Sequence, residues 1–209
     1  MAQTCAPGQI IILNGTPRSG KSSIVDVIQD TFDGVWMNLG VDRFMQMTPA
    51  RYLPGMGLDL AADARTSRHS FRSFIALYES IAHSHVVLNV VVADVHHDAY
   101  AVPRGILPDC ARWLSGLPVL FVGVRCPIET IMERRRTTGW ETGTPADAPV
   151  PRPVHLWQTR VHILGTYDLE VDTSVLSPEA CAATISQHLD YGPPPSAFRQ
   201  RAAMATTQN

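Results

Sequence analysis

Short aliphatic runs alternate with stretches of helical periodicity along this chain. The runs predict strands at Gln9–Asn14, Val35–Leu39, Val86–Ala93, Val119–Val124 and Asp168–Val171. Most are apolar at successive positions, which is typical of strands that are buried on both faces of a parallel sheet. Between them, apolar residues recur every three or four positions and predict helices at Gly20–Phe32, Ser67–Ser84, Ile106–Leu114, Pro127–Arg136, Val154–Gly165 and Ser177–Leu189. This order predicts an α/β fold of three layers, with helices on both faces of a parallel sheet of about five strands.

Glycines and prolines mark two segments in the C-terminal half. Residues 137–153 hold Gly139, Gly143, Pro145, Pro149, Pro151 and Pro153. Six glycines and prolines in this stretch disfavour regular secondary structure and predict a mobile loop. Together with the end of the preceding helix, this loop forms a predicted lid at about residues 134–153. Three consecutive prolines follow Gly192, and residues 192–209 are predicted to be a flexible tail. Residues 1–191 are predicted to form a single domain.

Composition narrows the function classes. The chain has 209 residues, 45% of them hydrophobic, and a formal net charge of -2, so nothing favours binding to nucleic acid or to an anionic membrane. Its four cysteines lie far apart, which argues against a disulfide framework or a zinc site. The N-terminal residues lack the pattern of a signal peptide, and no apolar run could cross a bilayer. These features predict a soluble, cytoplasmic protein.

One sequence motif predicts phosphate binding. Residues 15–22 read GTPRSGKS and match the phosphate-binding pattern GxxxxGK[ST] at every fixed position. A chance match in a chain of this length has odds of about one in a hundred, and here the match lies between a predicted strand and a predicted helix. Its Lys21 is also the sole lysine beside sixteen arginines. We expect ATP phosphates to bind at Gly15, Thr16, Pro17, Arg18, Ser19, Gly20, Lys21, Ser22 and Ser23, with Mg²⁺ on the Ser22 hydroxyl.

An acidic residue follows the second predicted strand. Asp42 would emerge at the same edge of the sheet as the phosphate-binding loop, where a carboxylate could take a proton from an acceptor hydroxyl. The residue could equally act as the N-cap of the short helix that follows it. Phe44 and Met45 in that helix suit an adaptable apolar pocket for a ring-bearing substrate, although they could also belong to the core.

Several blocks together resemble the chloramphenicol phosphotransferase family. They are Asn14-Gly15, the phosphate-binding loop, LGVD ending at Asp42, VGVRC at Val122–Cys126, VH at Val161-His162 and YDLEVDTS at Tyr167–Ser174. The resemblance implies a P-loop kinase-like fold with a lid and ATP-dependent phosphorylation of an antibiotic hydroxyl, as in antibiotic inactivation or self-resistance. It also implies that Asp42 is the catalytic base and that Lys21 is catalytic.

The resemblance extends to further site residues. Arg134 matches the first lid arginine of the family and is expected to stabilise the charge of the transferred phosphoryl group. Three consecutive helical residues point about 100° apart, so at most two of Arg134, Arg135 and Arg136 can face one phosphate, with Arg135 the second candidate. Arg125 could also reach the nucleotide, and Asp172 and Thr173 are expected to border the adenine. Asn89 stands where the family has an acidic residue; it is expected to contact the acceptor, and the role of Asp94 is left open.

Two other functions compete. A metabolic kinase of the shikimate or gluconate type would share the loop and lid, but its charged acceptor calls for more basic residues than the region 44–63 offers, which is mainly Arg51. A nucleotide-binding NTPase switch would lack a small-molecule acceptor altogether. The expected partner is therefore a small molecule that bears a hydroxyl group, and the oligomeric state, a homo-oligomer included, is left open.

Overall fold

The computed structural model describes residues 8–40, 43, 46–47, 85–90, 111–114, 116–138, 149–162 and 166–207. Within them, five strands form one parallel sheet: β1 (Ile10–Asn14), β2 (Trp36–Asn38), β3 (His85–Val90), β4 (Val119–Arg125) and β5 (Leu169–Asp172). Their order across the sheet is β2-β3-β1-β4-β5. Since all the strands are parallel, their carboxyl ends meet at one edge, and the loops that follow them lie together there.

Strand β1 is the centre of the sheet. It is buried at all five positions, and Ile12 is in register with Leu88 of β3 and Phe121 of β4. The unbroken aliphatic run is thus explained by neighbours on both edges and both faces. The predicted parallel sheet of about five strands is confirmed.

All the described helices but the last lie close to their predicted positions. The helices are α1 (Lys21–Thr31), α2 (Ile128–Thr137), α3 (Arg152–Arg160), α4 (Pro178–Tyr191) and α5 (Ala197–Thr207), and residues 111–114 are also helical. Ser177 caps α4 as predicted, its hydroxyl accepting from the Ala180 N–H at 3.2 Å. Helix α3 begins earlier than predicted because Pro153 lies in its first turn, where a missing N–H costs nothing. The predicted helix 67–84 lies outside the described residues.

Alternate residues of β1 build two cores on opposite faces of the sheet. Ile11 and Leu13 pack in a cluster with α1 and α4, whose buried members include Ile24, Val25, Ile28, Cys181 and Ile185. Ile10 and Ile12 pack in a second cluster on the other face, with Leu114, Phe121 and Phe198. This places helices on both faces of the sheet and gives the three layers that the sequence predicts.

The segment after residue 192 differs from its predicted flexible tail. Ala197 and Phe198 open α5 and are buried, and the Phe198 ring meets the Phe121 ring edge-on at 4.9 Å between centroids. Asp168 Oδ1 accepts from the N–H groups of Ser196 and Ala197, at 2.6 and 2.9 Å, and so satisfies the start of this helix. The capping carboxylate lies almost thirty positions earlier in the chain, so local sequence signals do not reveal it.

None of the helices that the structure describes is long and apolar enough to cross a membrane.

Candidate active site

The phosphate-binding loop, residues 15–22, packs closely against β4. A Cβ atom added at Gly15 would lie 2.5 Å from the carbonyl oxygen of Val124 and 2.8 Å from Ser19 Oγ. Both separations are shorter than real Cβ contacts, so no side chain fits at this position. Strand β4 therefore fixes the first turn of the loop, and the glycine is required by a close approach.

Two residues of the loop have left-handed backbone conformations, Gly20 with φ of 93° and Arg18 with φ of 70°. Gly20 is the residue before α1, and neither a capping side chain nor an acidic residue occupies the first turn of that helix. Backbone N–H groups at such an uncapped N-terminus attract anions. The loop thus fits a phosphate group through its backbone, as the sequence motif predicts.

Lys21 lies inside the loop and is 5% exposed. Its Nζ donates to the carbonyl oxygens of Gly15 and Thr16, at 2.8 and 2.9 Å. An ammonium that is held by neutral carbonyls keeps its full positive charge and gains more from a phosphate oxygen than from a carbonyl. The only lysine of the chain is therefore placed to exchange its present partners for a nucleotide phosphate.

Two serines of the loop have distinct environments. Ser19 Oγ is buried and has no hydrogen-bond partner in the part of the chain that the structure describes. An unsatisfied buried hydroxyl is costly, and a bound phosphate oxygen would satisfy it. Ser22 is exposed at the start of α1. Its hydroxyl could hold Mg²⁺, which often keeps several waters and needs few protein ligands. The described residues contain no cluster of three or more His, Cys, Asp or Glu that could hold a metal ion.

Arg134 of α2 joins the loop to the segment after β5. Its Nη2 donates to the carbonyl oxygen of Thr173 at 2.7 Å, and its Nη1 donates to Thr173 Oγ1 at 3.1 Å. The same Nη1 reaches the carbonyl oxygen of Arg18 at 3.4 Å and Cys126 Sγ at 3.5 Å. The guanidinium thus lies directly beside the phosphate-binding loop, and its charge-stabilising role stays a prediction.

The two residues that follow Arg134 differ in solvent exposure. Arg135 is 7% exposed within α2, whereas Arg136 is exposed on its outer surface. This divergence follows from the rotation of about 100° per helical residue and fits the expectation that one of the three arginines is solvated.

The segment after β5 lies against the loop through Thr173. Thr173 Oγ1 donates to the carbonyl oxygen of Ser19 at 2.7 Å, and its N–H donates to the carbonyl oxygen of Arg125 at 3.1 Å. Asp172 turns its Oδ1 to the N–H and hydroxyl of Ser174, at 2.8 and 2.6 Å. The structure therefore places Thr173 against the phosphate-binding loop, while the Asp172 carboxylate stabilises the turn. Their predicted place beside the adenine stays a prediction.

Arg125, at the end of β4, pairs with another side chain. Its Nε donates to Glu170 Oε2, and the guanidinium carbon lies 5.8 Å from the centre of the Tyr167 ring. The hydrogen bond from Arg125 to Glu170 raises the pKa of Arg125. In this arrangement the predicted nucleotide-binding role would require Arg125 to leave Glu170.

A cluster of neutral polar groups lies at the end of β1, just before the loop. Asn14 Nδ2 donates to the Tyr167 hydroxyl at 2.9 Å and to the carbonyl oxygen of Val161 at 3.2 Å. The Tyr167 hydroxyl lies 2.8 Å from His162 Nδ1. A Cβ atom at Gly123 would lie 2.7 Å from the Tyr167 ring, so the glycine in β4 makes room for the aromatic side chain. Asn14, His162 and Tyr167 are called the neutral cluster below.

Burial keeps the neutral cluster uncharged. Burial lowers the pKa of His162 to about 4, and the positive charges of Arg125 and Lys21 act in the same direction. Burial raises the pKa of Tyr167 to about 12, although the hydrogen bond from Asn14 opposes the change. Near neutral pH both rings are uncharged.

Gln158 of α3 makes a further contact with the loop. Its Oε1 accepts from Thr16 Oγ1 at 2.9 Å, and its Nε2 donates to the carbonyl oxygen of Cys126 at 2.8 Å. Sequence reasoning did not select Gln158. A signal was present, because this glutamine lies between Val154 and Val161 on one face of α3, and both valines are buried.

The comparison with protein families decides the identity of the chain. Residues 8–190 match the model of the chloramphenicol phosphotransferase-like protein family. The chain belongs to this family. The resemblance seen in the sequence blocks is confirmed, and the family together with the P-loop kinase fold makes the protein a small-molecule kinase.

One sequence relative and two solved structures are similar to this chloramphenicol phosphotransferase-like protein. A Mycobacterium tuberculosis (strain H37Rv) protein named "Putative O-phosphotransferase" is 25% identical over 92% of this chain and 87% of its own length. The Deinococcus radiodurans tunicamycin resistance protein is similar in structure, with a TM-score of 0.62, 18% identity, and coverage of 87% of this chain and 95% of its own. The Mycobacterium tuberculosis APS kinase, in complex with AMPPNP and APS, has a TM-score of 0.54, 17% identity, and coverage of 89% and 99%.

The acceptor side of this family member is described only in part. Asp42, Phe44, Met45 and Asp94 lie outside the described residues. Asn89 belongs to β3, where it is in register with Leu13 one residue before the end of β1. The backbone of Asn89 thus lies near the carboxyl edge, as expected for a residue on the acceptor side, and its role stays a prediction.

Proposed function

We propose that this protein is an ATP-dependent O-phosphotransferase that phosphorylates a hydroxyl group of an antibiotic-like small molecule, so that it inactivates an antibiotic or protects its own cell. The observation that carries the proposal is the placement of Lys21. Its ammonium is buried in a glycine-bounded loop and donates to two neutral backbone carbonyls, at 2.8 and 2.9 Å. Such an arrangement suits a cation that binds a terminal phosphate.

The family and its relatives support the choice of acceptor. Membership of the chloramphenicol phosphotransferase-like family favours transfer to an alcohol, and the mycobacterial relative is named as an O-phosphotransferase. The tunicamycin resistance protein, which shares the fold, supports an antibiotic as the substrate. We place the reaction in the cytoplasm, where ATP is abundant.

The residues of the loop have separate tasks in this proposal. When bound, MgATP supplies the phosphoryl group and the metal charge that neutralises it. Backbone N–H groups before α1 hold the phosphates, Ser22 contributes the metal-binding hydroxyl, and Lys21 neutralises charge on the transferred group. Arg134 adds a second cation beside the loop, 3.4 Å from the carbonyl oxygen of Arg18. The predicted lid, residues 134–153, excludes water so that transfer outcompetes hydrolysis.

Asp42 is the proposed base. It follows β2 in the sequence, and β2 ends at the same edge of the parallel sheet as β1 and the loop. We expect its carboxylate to orient the acceptor hydroxyl and to take its proton. Asp42→Asn should keep nucleotide affinity and lower the rate of transfer by about 10²-fold or more. Equal turnover by the two proteins would remove Asp42 from this role.

Intact-mass analysis tests the proposed function. The protein is incubated with MgATP and a panel of hydroxyl-bearing compounds: antibiotics, chloramphenicol and tunicamycin included, and simple sugars and hydroxy acids. Each product is examined for the mass of one added phosphoryl group. Asp42→Asn is the matched negative control. Modification of one or more panel members supports the proposal. Modification of sugars or acids alone favours a metabolic kinase, and ATP turnover that no added alcohol changes favours an NTPase switch; either result overturns it.

A further inference from the structure

Gln158 occupies a position on α3 where an apolar residue would be expected. Val154, Gln158 and Val161 are spaced four and three residues apart, so they lie on one face of the helix. Val154 and Val161 are 1% and 3% exposed. Gln158 itself is half-buried, and its amide makes two hydrogen bonds, to Thr16 Oγ1 and to the carbonyl oxygen of Cys126.

Thr16 connects Gln158 to Lys21. The hydroxyl of Thr16 donates to Gln158, and its backbone carbonyl accepts from Lys21 Nζ at 2.9 Å and from the Ser19 N–H at 3.0 Å. The side chain and the carbonyl belong to one residue that is 1% exposed and has little room to rotate. A contact that fixes the Thr16 side chain therefore also fixes the direction of the carbonyl that holds the ammonium.

Helices α2 and α3 flank the predicted lid, and each is hydrogen-bonded to the phosphate-binding loop. Helix α3 begins at Arg152, where the predicted lid ends, and α2 carries Arg134, where the predicted lid begins. Both ends are hydrogen-bonded to the phosphate-binding loop, through Arg134 to the Arg18 carbonyl and through Gln158 to Thr16. The loop is thus held from both sides before a nucleotide arrives.

We propose that Gln158 is a positioning residue, which keeps the phosphate-binding loop open for ATP by holding Thr16 against the end of β4. The role rests on the ATP binding of the proposed function. Gln158 acts through Thr16 and does not contact the reacting groups. When Lys21 turns from the Thr16 carbonyl to a phosphate, the Gln158 amide keeps the peptide of Thr16 in place, so the loop does not have to be reordered on binding.

Two isosteric variants test the contact. Gln158→Met keeps the length of the side chain without the amide, and Thr16→Val keeps the shape of threonine without the hydroxyl. Each should weaken binding of a non-hydrolysable ATP analogue, measured by calorimetry with Mg²⁺ present, by about fivefold to tenfold, which corresponds to one neutral hydrogen bond. In turnover, the same change should fall on the KM for ATP, and kcat should change less than about twofold.

The double variant and a remote glutamine complete the test. If the two residues act through one contact, Gln158→Met combined with Thr16→Val binds the analogue no more weakly than either single variant. Gln29→Leu is the matched control, because Gln29 Nε2 also donates to a backbone carbonyl, that of Trp36 at 2.9 Å, but at the other end of α1. It should leave affinity for the analogue unchanged.

Some results would contradict the role of Gln158 alone, and another would also contradict the proposed function. Analogue affinity that is unchanged in both single variants, effects that add in the double variant, or a loss that appears only as a lower melting temperature would each overturn the role of Gln158 and leave the kinase proposal intact. Failure of the unmodified protein to bind the analogue would overturn both.

Discussion

Two groups of buried and half-buried polar side chains lie next to each other at the carboxyl edge of the sheet, and they differ in charge and in the partners they bond. Lys21 and Arg134 are cations that donate to backbone carbonyls of the loop and of Thr173. The neutral cluster of Asn14, His162 and Tyr167 bonds largely within itself. Cations held by neutral acceptors can exchange them for phosphate, whereas neutral groups that already satisfy one another gain less from a charged ligand.

The two groups are expected to have different roles, ligand binding for the cations and structural support for the neutral cluster. The cationic group is expected to change its partners during the reaction, and the neutral cluster is expected to hold the end of β1 and α3 in place while it does so. Removing a cation should therefore damage activity more than stability, and changing the neutral cluster should damage stability more than activity.

The largest effect is expected from Lys21→Ala. The substitution removes the ammonium that would neutralise the transferred phosphoryl group, and kcat/KM should fall by about 10³-fold. Steady-state kinetics measure the loss, with a panel compound that the unmodified protein phosphorylates as the acceptor. Thermal unfolding without nucleotide is the control for stability. Activity within tenfold of the unmodified protein would show that the cation is not used in transfer.

A smaller loss is expected from Arg134→Lys. An ammonium cannot reproduce the four contacts of the planar guanidinium with Thr173, Arg18 and Cys126, although it retains the charge. We expect kcat/KM to fall by about tenfold to hundredfold. Arg136→Lys, at an exposed position on the same helix, is the matched control and should have little effect. Equal kinetics of the two variants would contradict the assignment of Arg134.

The smallest effect concerns stability and pH. The pKa of His162 is about 4 in the folded protein and near 6.5 when unfolded, so between these values the unfolded state binds more protons. The free energy of unfolding should therefore fall as the pH drops from 6.5 to 4, by about 1–2 kcal/mol for this residue after allowance for its partial exposure.

His162→Phe should remove that part of the pH dependence. Urea unfolding at pH 7 and at pH 4.5 measures the difference, and His155→Phe, at an exposed position of α3, is the control that should retain the full dependence. If His162→Phe and the unmodified protein lose the same free energy between the two pH values, His162 is not held neutral by the fold.

The sheet and the phosphate-binding loop could be predicted because their signals are local. Ile10–Leu13 is an unbroken aliphatic run, and Gly15 and Lys21 stand at fixed spacing shortly after it. The register of β1 with its neighbours and the packing of Gly15 on Val124 then follow from the sheet. Up to residue 191, the predicted strands and helices that fall on described residues have the correct type, and α3 begins a little earlier than predicted because proline lies in its first turn.

The contacts that could not be predicted join distant parts of the chain. The bond between Thr16 and Gln158 spans 142 positions, and that between Asn14 and Tyr167 spans 153. The capping of α5 by Asp168 is of the same kind, and for this reason the proline-rich sequence predicts a flexible tail where the structure has a helix. Composition and periodicity describe neighbours along a helix or strand, whereas these partners are chosen by the packing of the finished sheet.

The single lysine has a consequence for chemistry that acts on this protein from outside. Among the side chains of all 209 residues there is one primary amine, and it is the buried ammonium of the phosphate-binding loop. Acetylation, carbamylation or any other acylation of lysine therefore has one side-chain target here. A single such event would cancel the charge on which the loop depends, and no second lysine exists to absorb the reagent harmlessly.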